Sequence, residues 1–595
     1  MISLEQLYHL DKHQQFLQKR IKNPNLFLVG GCVRDLLLGI TKDPLDIDFT
    51  MGGTPEELYA DFDTKGLSHF ITEKFGTITF IPPEDKERNY QLTPLRTEGE
   101  YGDFRHPGEI SRSNSLLLDY QRRDFSINAM YYFSMTKQTR AELDFEKEGN
   151  QIDDKGLAKI LSKEGYCYLA NLNVLILRDE AFIQQVFGNA EFDEDYFRFL
   201  IETQKQAYFW PIKEKKKSWV LPKVNRFRVL IDPAGGITSL VERKFETVGE
   251  PDKRFGEDAL RLIRALRIVN VCNTKLSSMN GTKKNAIEKV EFFDFSAPTR
   301  ESIKKNADLL RHVAKERIKD ELCKVFVKGD PFGFMVLLNV SGMIEILFPA
   351  LSATKHNEQP IRYHAFDTYT HTLLTLKALQ EINQDYLVRF AMLYHDVGKV
   401  EQYEAYDKAE TKEEIRAIVA GPLNHRNSSP ILMKQDFQAL GFSKKEIETI
   451  ARYIQKHHTP GEILLSNPKN REKKVRKLYS EKGFEMVQNL FDINIADRIW
   501  QFNPLQNSAD LSDSYTLKEI LKNLKENEGQ FSKSDLAVNG NIVMKELWLE
   551  AGPLLGECLE QAFEWVINDI PNRNVEKEIL VYLKSYLKNR KEKCE

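Results

Sequence analysis

The sequence predicts an α/β head followed by a mostly α-helical remainder, and three observations carry that reading. Residues 26–135 mix short strand-like runs ("NLFLVGG", "LDIDFT", "ITFIPP", "NYQLTPLR") with helical ones ("RDLLLG", "TPEELYADF"). From 252 to 350 the apolar period is helical, in "EDALRLIRALRIV", "TRESIKKNADLLRHV" and "KERIKDELCKVFV". Residues 356–500 stay helical but gather histidines, and the rest alternates helices with an "NGN" turn and an "EAGPLLG" break.

A chain of 595 residues is too long for one hydrophobic core. The expected divisions are a head over 1–136, an inserted module over 137–227 whose ends are brought together, a helical neck over 228–350, a histidine-rich helical domain over 351–500 and a helical C-terminal body over 501–595. Six cysteines lie far apart with no CxxC pair, so neither a zinc ribbon nor a disulfide framework is suggested. The N-terminus has no apolar signal region and no run is long enough to span a bilayer, so a cytoplasmic enzyme without a membrane partner is expected. Net charge is only −3, but basic residues cluster. The run "KEKKKSWVLPKVNRFR" (213–228) carries seven basic residues against one acidic, with Trp219 and Phe227 interleaved; "KNREKKVRK" and the C-terminal tail are also basic. Each run alone reads as a solvated helix face; three beside a phosphate-handling motif raise the expectation of an RNA partner.

In the head, "FLVGGCVRDLLLGITKDPLDIDFT" (27–50) brings a glycine pair, Gly30-Gly31, close to Asp46 and Asp48. One residue apart on a strand, the two carboxylates share a face and repel each other unless a cation lies between them. Glycines at a strand end let the backbone approach a ligand closely, often a phosphate. Downstream, "QRRDFSINA" (121–129) supplies Arg123, Asp124 and Asn128, guanidinium and polar groups suited to phosphate and ribose. In "EDALRLIRALR", Asp258 and Arg261 are spaced i,i+3 and on one helix present an acceptor beside a fork of donors. That pair matches the edges of cytosine and adenine and mismatches uracil and guanine; the plainer reading is a surface ion pair between Glu257 and Arg261.

Together, GGxVRDxLLG…DxD, "LTPLRTEGEYGDFRHP", RRDFxINA, "LIDPAGG", "RFGEDALRLIRALR" and "ERIKDEL" resemble, in order, the class II tRNA nucleotidyltransferase and bacterial poly(A) polymerase family. The resemblance implies a polymerase-β-like nucleotidyltransferase head, with Asp46 and Asp48 as Mg2+ ligands. It implies nucleotide contacts from Gly31, Arg34, Arg123, Asp124, Asn128, Asp258, Arg261, Arg264 and Arg267. The third carboxylate of such sites stays open among Glu98, Asp103 and Asp124. The implied activity is template-independent addition of C, C and A, from CTP and ATP, to the 3′ end of tRNA. "EKFGTITFI" (73–81) resembles CCA-adding members, and a "GRRFRL"-type segment of the poly(A) enzymes is absent; poly(A), C-only or A-only addition are the alternatives.

Residues His371, His395-Asp396 (in "YHDVGK"), His425, His457-His458 and Asp497 follow the order of an HD phosphohydrolase. His371, His395, Asp396 and Asp497 form the expected primary ligand set; His425 with His457 or His458 completes a second. Such N and O donors suit a divalent transition metal and hydrolysis of phosphorylated or cyclic-phosphate RNA ends. A reading from another class makes the chain chiefly this phosphohydrolase, with an RNA-binding head. The C-terminal segment resembles the tRNA-contacting end of HD-containing CCA enzymes.

Overall fold

The computed structural model describes residues 2–21, 26–72, 76–83, 85–98, 110–136, 154–164, 166–169, 174–187, 226–281, 292–359, 366–501, 511–527, 529 and 531–594. It divides into two compact units, 1–321 with 341–343, and 322–340 with 344–595.

The first unit is built on a nine-stranded mixed sheet. Its strands are β1 (Leu26–Val29), β2 (Asp46–Met51), β3 (Ser68–Thr72), β4 (Thr77–Ile81), β5 (Asn89–Pro94), then, past a small β6–β7 hairpin (Arg96–Glu98, Ile110–Arg112), β8 (Tyr131–Thr136), β9 (Tyr166–Leu169), β10 (Val174–Leu177) and β11 (Arg226–Ile231). The order is β3-β4-β5-β2-β1-β8-β11-β10-β9. β2 runs parallel to β5 and antiparallel to β1, with Val29 opposite Asp48 and Asp48 opposite Gln91. β1, with every residue buried, is a central strand, whereas β2 begins exposed–buried–intermediate at Asp46, Ile47 and Asp48. Helix α1 spans Asp11–Gln18 and α2 Gly31–Leu37. α3 (Pro55–Asp61) starts where Thr54 and Glu57 form a capping box with proline in the first turn.

The expected separate module at 137–227 is not separate in its described part. Its ends do meet, since Thr136 pairs with Arg226 in the β8–β11 ladder. Beyond them β10 pairs parallel to β11, β9 pairs with β10, and both extend the head sheet. Leu175, Leu177, Ile183 and Phe187 from this stretch pack with Phe27, Val29, Tyr131 and Phe133 in one apolar cluster. At roughly 1.5–3 kcal/mol for each such side chain fully buried, these residues hold the head itself together. Helix α4 (Leu116–Gln121) leads into the arginine pair, and α5 (Asp154–Glu164) and α6 (Glu180–Val186) belong to the inserted stretch. Tyr120 on α4 donates its hydroxyl hydrogen bond to Glu180 on α6. Most of the basic, aromatic run, Trp219 included, lies outside the described residues.

After β11 the chain turns through "DPAGG", where the buried carboxylate of Asp232 accepts the amide N–H groups of Gly236 and Ile237. It then becomes helical: α7 (Gly236–Glu242), α8 (Pro251–Glu257), α9 (Leu260–Gly281), α10 (Ala297–Lys305) and α11 (Lys315–Lys328), which crosses from the first unit into the second.

Among its described residues the second unit is all helical. α12 (Thr368–Ile382) is capped by Asp367 and α13 (Tyr386–Tyr394) by Asp385; α14 (Lys399–Lys408) and α15 (Lys412–Ala420) follow. α16 (His425–Ala439) is capped by Asn424, α17 spans Lys444–Lys456 and α18 spans Phe484–Gln501. A separate apolar cluster including Val543, Phe563, Ile579 and Leu583 holds the C-terminal helices. No helix among the described residues is long and apolar enough to cross a membrane.

Candidate active site and metal centre

The glycine pair and the aspartate pair meet. Gly30 follows β1 with φ +83° and ψ −142°, a conformation side-chain-bearing residues avoid, and a Cβ there would stand 3.2 Å from Asp48 Oδ2. Asp46 is exposed and Asp48 half-buried on the same face of β2. Burial raises the Asp48 carboxyl above its usual range; Arg123, Arg264 and Arg34 oppose that, and the negative charge of Asp46 adds to it. Asn89 Nδ2 lies 3.4 Å from Asp46 Oδ1. Among the described residues neither aspartate has a direct ion-pair partner, and the two like charges repel each other across one face.

The arginine pair is held from beneath. Asp119, fully buried on α4, accepts from Arg122 Nε at 2.8 Å, from Arg123 Nη2 at 2.8 Å and from the Tyr131 hydroxyl at 2.7 Å. Burial pushes its carboxyl up, but Arg123 and Arg122 outweigh this and hold it well below the usual range. Sequence reasoning passed over Asp119, although its i,i+3 and i,i+4 spacing to the two arginines was readable.

Arg34 Nη1 donates to Asn128 Oδ1 at 2.7 Å and its Nε to Asp35 at 2.8 Å. Arg264 Nη2 lies 2.6 Å from Asp124 Oδ2. Burial works against the charged form of Asp124, yet Arg264 and Arg261 keep its carboxyl below the ordinary value. Asp46, Asp48, Gly31, Arg34, Arg123, Asp124, Asn128 and Arg264 thus form one region around β2. Of the three candidates for a third carboxylate, Asp124 is committed to Arg264, while Asp103 and the Glu98 side chain lie outside the described residues. On β5 the residues opposite Asp46, Asp48 and Thr50 are Asn89, Gln91 and Thr93, amides and a hydroxyl.

Asp258 and Arg261 correct the expectation of one helix presenting both. α8 ends at Glu257 and Asp258 is extended (φ −141°, ψ 101°), its carboxylate accepting the Leu260 N–H at the start of α9. Arg317 takes Asp258 at 2.7 Å and Glu257 takes Arg261 at 2.7 Å, so the plainer ion pair is the one observed. A short polar side chain that caps the next helix breaks the preceding one. Arg261 also donates to the Arg122 carbonyl at 3.1 Å, tying the neck to the arginine pair. Arg267 pairs with the mostly buried Glu321.

In the second unit all the expected histidines converge. His371, His395 and Asp497 form one group and His425, His457 and His458 another, each with ligand atoms within 4.8 Å. Asp396 stands between them: Oδ2 is 3.1 Å from His395 and 3.7 Å from His371, Oδ1 is 3.6 Å from His425. His371 Nε2 lies 3.1 Å from Asp497. Both His457 and His458 join, where the sequence left either one open. The rings are oriented by acceptors: His395 Nδ1 donates to Met392 O at 2.7 Å, His457 Nδ1 to Ile454 O at 2.5 Å, and His425 Nδ1 to Gln402 Oε1 at 2.7 Å. Each Nε2 therefore faces the cluster, and those of His395 and His457 are buried with no hydrogen-bond partner. Burial lowers His425 to about 3, His457 to about 4 and His458 to about 2, so all three are neutral donors at pH 7. Lys399 Nζ, buried, lies 2.7 Å from Asp396 Oδ2. Gly398 lets this turn approach α16, where a Cβ would meet Ser428 Oγ at 2.1 Å. Gln402 was not anticipated, and Lys399, part of "YHDVGK", had been given no role.

Family models match three stretches in order: the poly A polymerase head domain over 26–155, the probable RNA and SrmB-binding site of polymerase A over 292–355, and the HD domain over 368–499. The chain thus carries, in this order, stretches similar to a poly A polymerase head, to its probable RNA-binding site and to an HD domain. A CCA-adding enzyme of Anoxybacillus flavithermus is 26% identical over 336 residues, covering 56% of this chain and 53% of the relative. One of Limosilactobacillus reuteri is 23% identical over 552 residues, covering 91% and 88%. The chain spans about half the length of the first curated relatives it matches, 53% and 47%. A solved CCA-adding enzyme of Bacillus stearothermophilus, in complex with CTP, aligns over 98% of this chain and 99% of its own with a TM-score of 0.53 and 18% identity, a likeness of fold.

Proposed function

We propose that this chain adds C, C and A, from CTP and ATP, to the 3′ end of tRNA in the cytoplasm by template-independent nucleotidyl transfer. The observation that carries the reading is the Gly30–Asp48 contact within a head whose relatives, one of them over 91% of the chain, are CCA-adding enzymes. Asp46 and Asp48 would hold Mg2+: two carboxylates that repel each other on one face suit a hard cation. When bound, the metal supplies activation of the attacking hydroxyl and neutralisation of triphosphate charge. Gly31 leaves room for the nucleotide beside Arg34. Arg123, Arg264 and Arg34 offset phosphate charge, and the rigidity Asp119 gives to Arg123 keeps that donor aimed without reorganisation. Base choice falls to the neck, where Asp258 and Arg261 would have to exchange Arg317 and Glu257 for the base edge.

The test offers purified protein a tRNA lacking its 3′ end, with Mg2+ and each triphosphate singly and together, and resolves products at single-nucleotide length. Growth by C, C and A that stops there is expected. A long A ladder, or growth by C alone, makes it a poly(A) or partial-addition enzyme instead.

A second reading concerns the HD centre. His371, His395 and Asp497 on one side of Asp396, and His425, His457 and His458 on the other, form a donor set suited to divalent transition metals. There the metal supplies an activated water for hydrolysis of phosphorylated or 2′,3′-cyclic-phosphate RNA ends. The buried, unpartnered His457 Nε2 supports it.

A further inference from the structure

The two helices that bring His371 and Asp497 together in the second unit also bring two aromatic rings together beside them. Phe366 directly precedes Asp367, the cap of α12, and the His371 N–H donates to the Asp367 carbonyl at 2.9 Å. Trp500 follows Asp497 by three residues on α18, on the same helix face, where Cβ atoms stand roughly 5–6 Å apart. The ring centroids of Phe366 and Trp500 are 6.3 Å apart and their planes meet at 64°, an edge-to-face corner. A chain of hydrogen bonds ties this corner to the metal centre. Lys399 Nζ, 2.7 Å from Asp396, donates to Gln359 Oε1 at 2.9 Å, and Gln359 Nε2 donates to the Phe366 carbonyl at 3.2 Å.

Neither ring belongs to the buried core; both are half-buried. Of His371, His395 and Asp497, only Asp497 is not fully buried, so this group opens at the residue next to Trp500. The metal-binding donors and Lys399 suit a phosphate. None of them reads what the phosphate is attached to. An aromatic corner beside that anchor does, because every nucleobase has a π-face that stacks on an aromatic ring whatever the base. At 64°, a flat base stacked on one ring turns its edge toward the other. We propose that Phe366 and Trp500 seat the terminal nucleobase of the substrate whose phosphate the HD centre holds. The centre then accepts nucleotide ends of any base and discriminates against phosphate esters that lack one. This rests on the hydrolytic reading of the HD centre.

The experiment uses the full chain with Mn2+ and two RNAs ending in a 2′,3′-cyclic phosphate, identical except that the last ribose of one lacks its base. Alongside, calorimetry measures the affinities for adenosine 2′-monophosphate and for inorganic phosphate. The parent is expected to favour the base-bearing end in kcat/KM. In Trp500→Ala that preference falls about tenfold, through KM, as the loss of one stacked base predicts. Trp500→Phe restores most of it, and Phe366→Leu, which keeps an apolar side chain, lowers it. The ratio of the two affinities changes in the same direction in each variant. A preference that is the same in the parent and Trp500→Ala overturns the assignment. So does an equal loss on both RNAs, which is what a purely structural role of the rings gives. If the parent hydrolyses neither RNA, the hydrolytic reading fails; the ratio of affinities in parent and Trp500→Ala still decides whether the corner holds a base.

Discussion

Gly30 is where one atom decides the chemistry. A Cβ there would strain the backbone and stand 3.2 Å from Asp48 Oδ2. For Gly30→Ala we expect a stability loss of about 1–3 kcal/mol from the disfavoured backbone region. The rate of nucleotide addition should fall at least tenfold at saturating triphosphate, read by single-turnover kinetics beside a denaturant titration. The aspartates were legible because the period of a strand is two and because Ile47 between them is apolar. Asp119 was not singled out, because its role exists only through the arginines it holds and the Tyr131 hydroxyl, which lies across the fold on β8. The same holds for Gln402, whose acceptor oxygen receives both the His425 backbone N–H and its Nδ1.

At the scale of elements, two readings diverged from the structure for different reasons. "EDALRLIRALR" reads as one helix because helix-forming residues flank Asp258 on both sides. The break depends on a capping carboxylate and on Arg317, a partner far along the chain. The stretch 137–227 carries "NVLIL", a short apolar run that reads locally as a buried strand. Which sheet such a strand joins is not written in its own pattern, since pairing is chosen by partners elsewhere. Its place beside β11 yields a sharp expectation. Phe187, 2% exposed, packs edge-to-face against Phe27 at 5.4 Å and Phe133 at 5.6 Å. Phe187→Ala should cost about 3–5 kcal/mol and lower the unfolding midpoint of the head itself. A module folding apart from the head would instead show its own transition and leave the nucleotide site intact, which urea unfolding followed by loss of nucleotide addition distinguishes.

Across the whole molecule, the carboxylate pair belongs to one compact unit and the histidine cluster to the other. The ligands named for each site lie within one unit, so the two proposed activities should be separable. His395→Ala should lower hydrolysis of 2′,3′-cyclic-phosphate ends by at least a hundredfold while CCA addition to an intact 3′-hydroxyl stays within twofold. Chelation followed by resupply of a divalent transition metal should restore hydrolysis in the parent and not in the variant. Equal hydrolysis by parent and variant would remove the HD centre from the reaction. The order of motifs made this two-site organisation readable from the sequence; the distances within each site were not, because they depend on how strands and helices pack.

The pairing of Thr136 with Arg226 also bears on how the polypeptide acquires its structure. β8 carries Tyr131 and follows directly on the arginine motif, yet its ladder partner β11 leaves the ribosome only after the whole intervening stretch has been made. Closing so long a loop adds little equilibrium cost, because the entropy grows only with the logarithm of length. It does postpone the pairing, and non-local strand contacts slow folding. During synthesis the strand bearing Asp46 and Asp48 can pair with β1 and β5 well before the sheet is complete on its β11 side. The nascent head therefore spends that interval with the edge of β8 unpaired, a period of exposure to chaperones and to misassociation set by the length of the insertion.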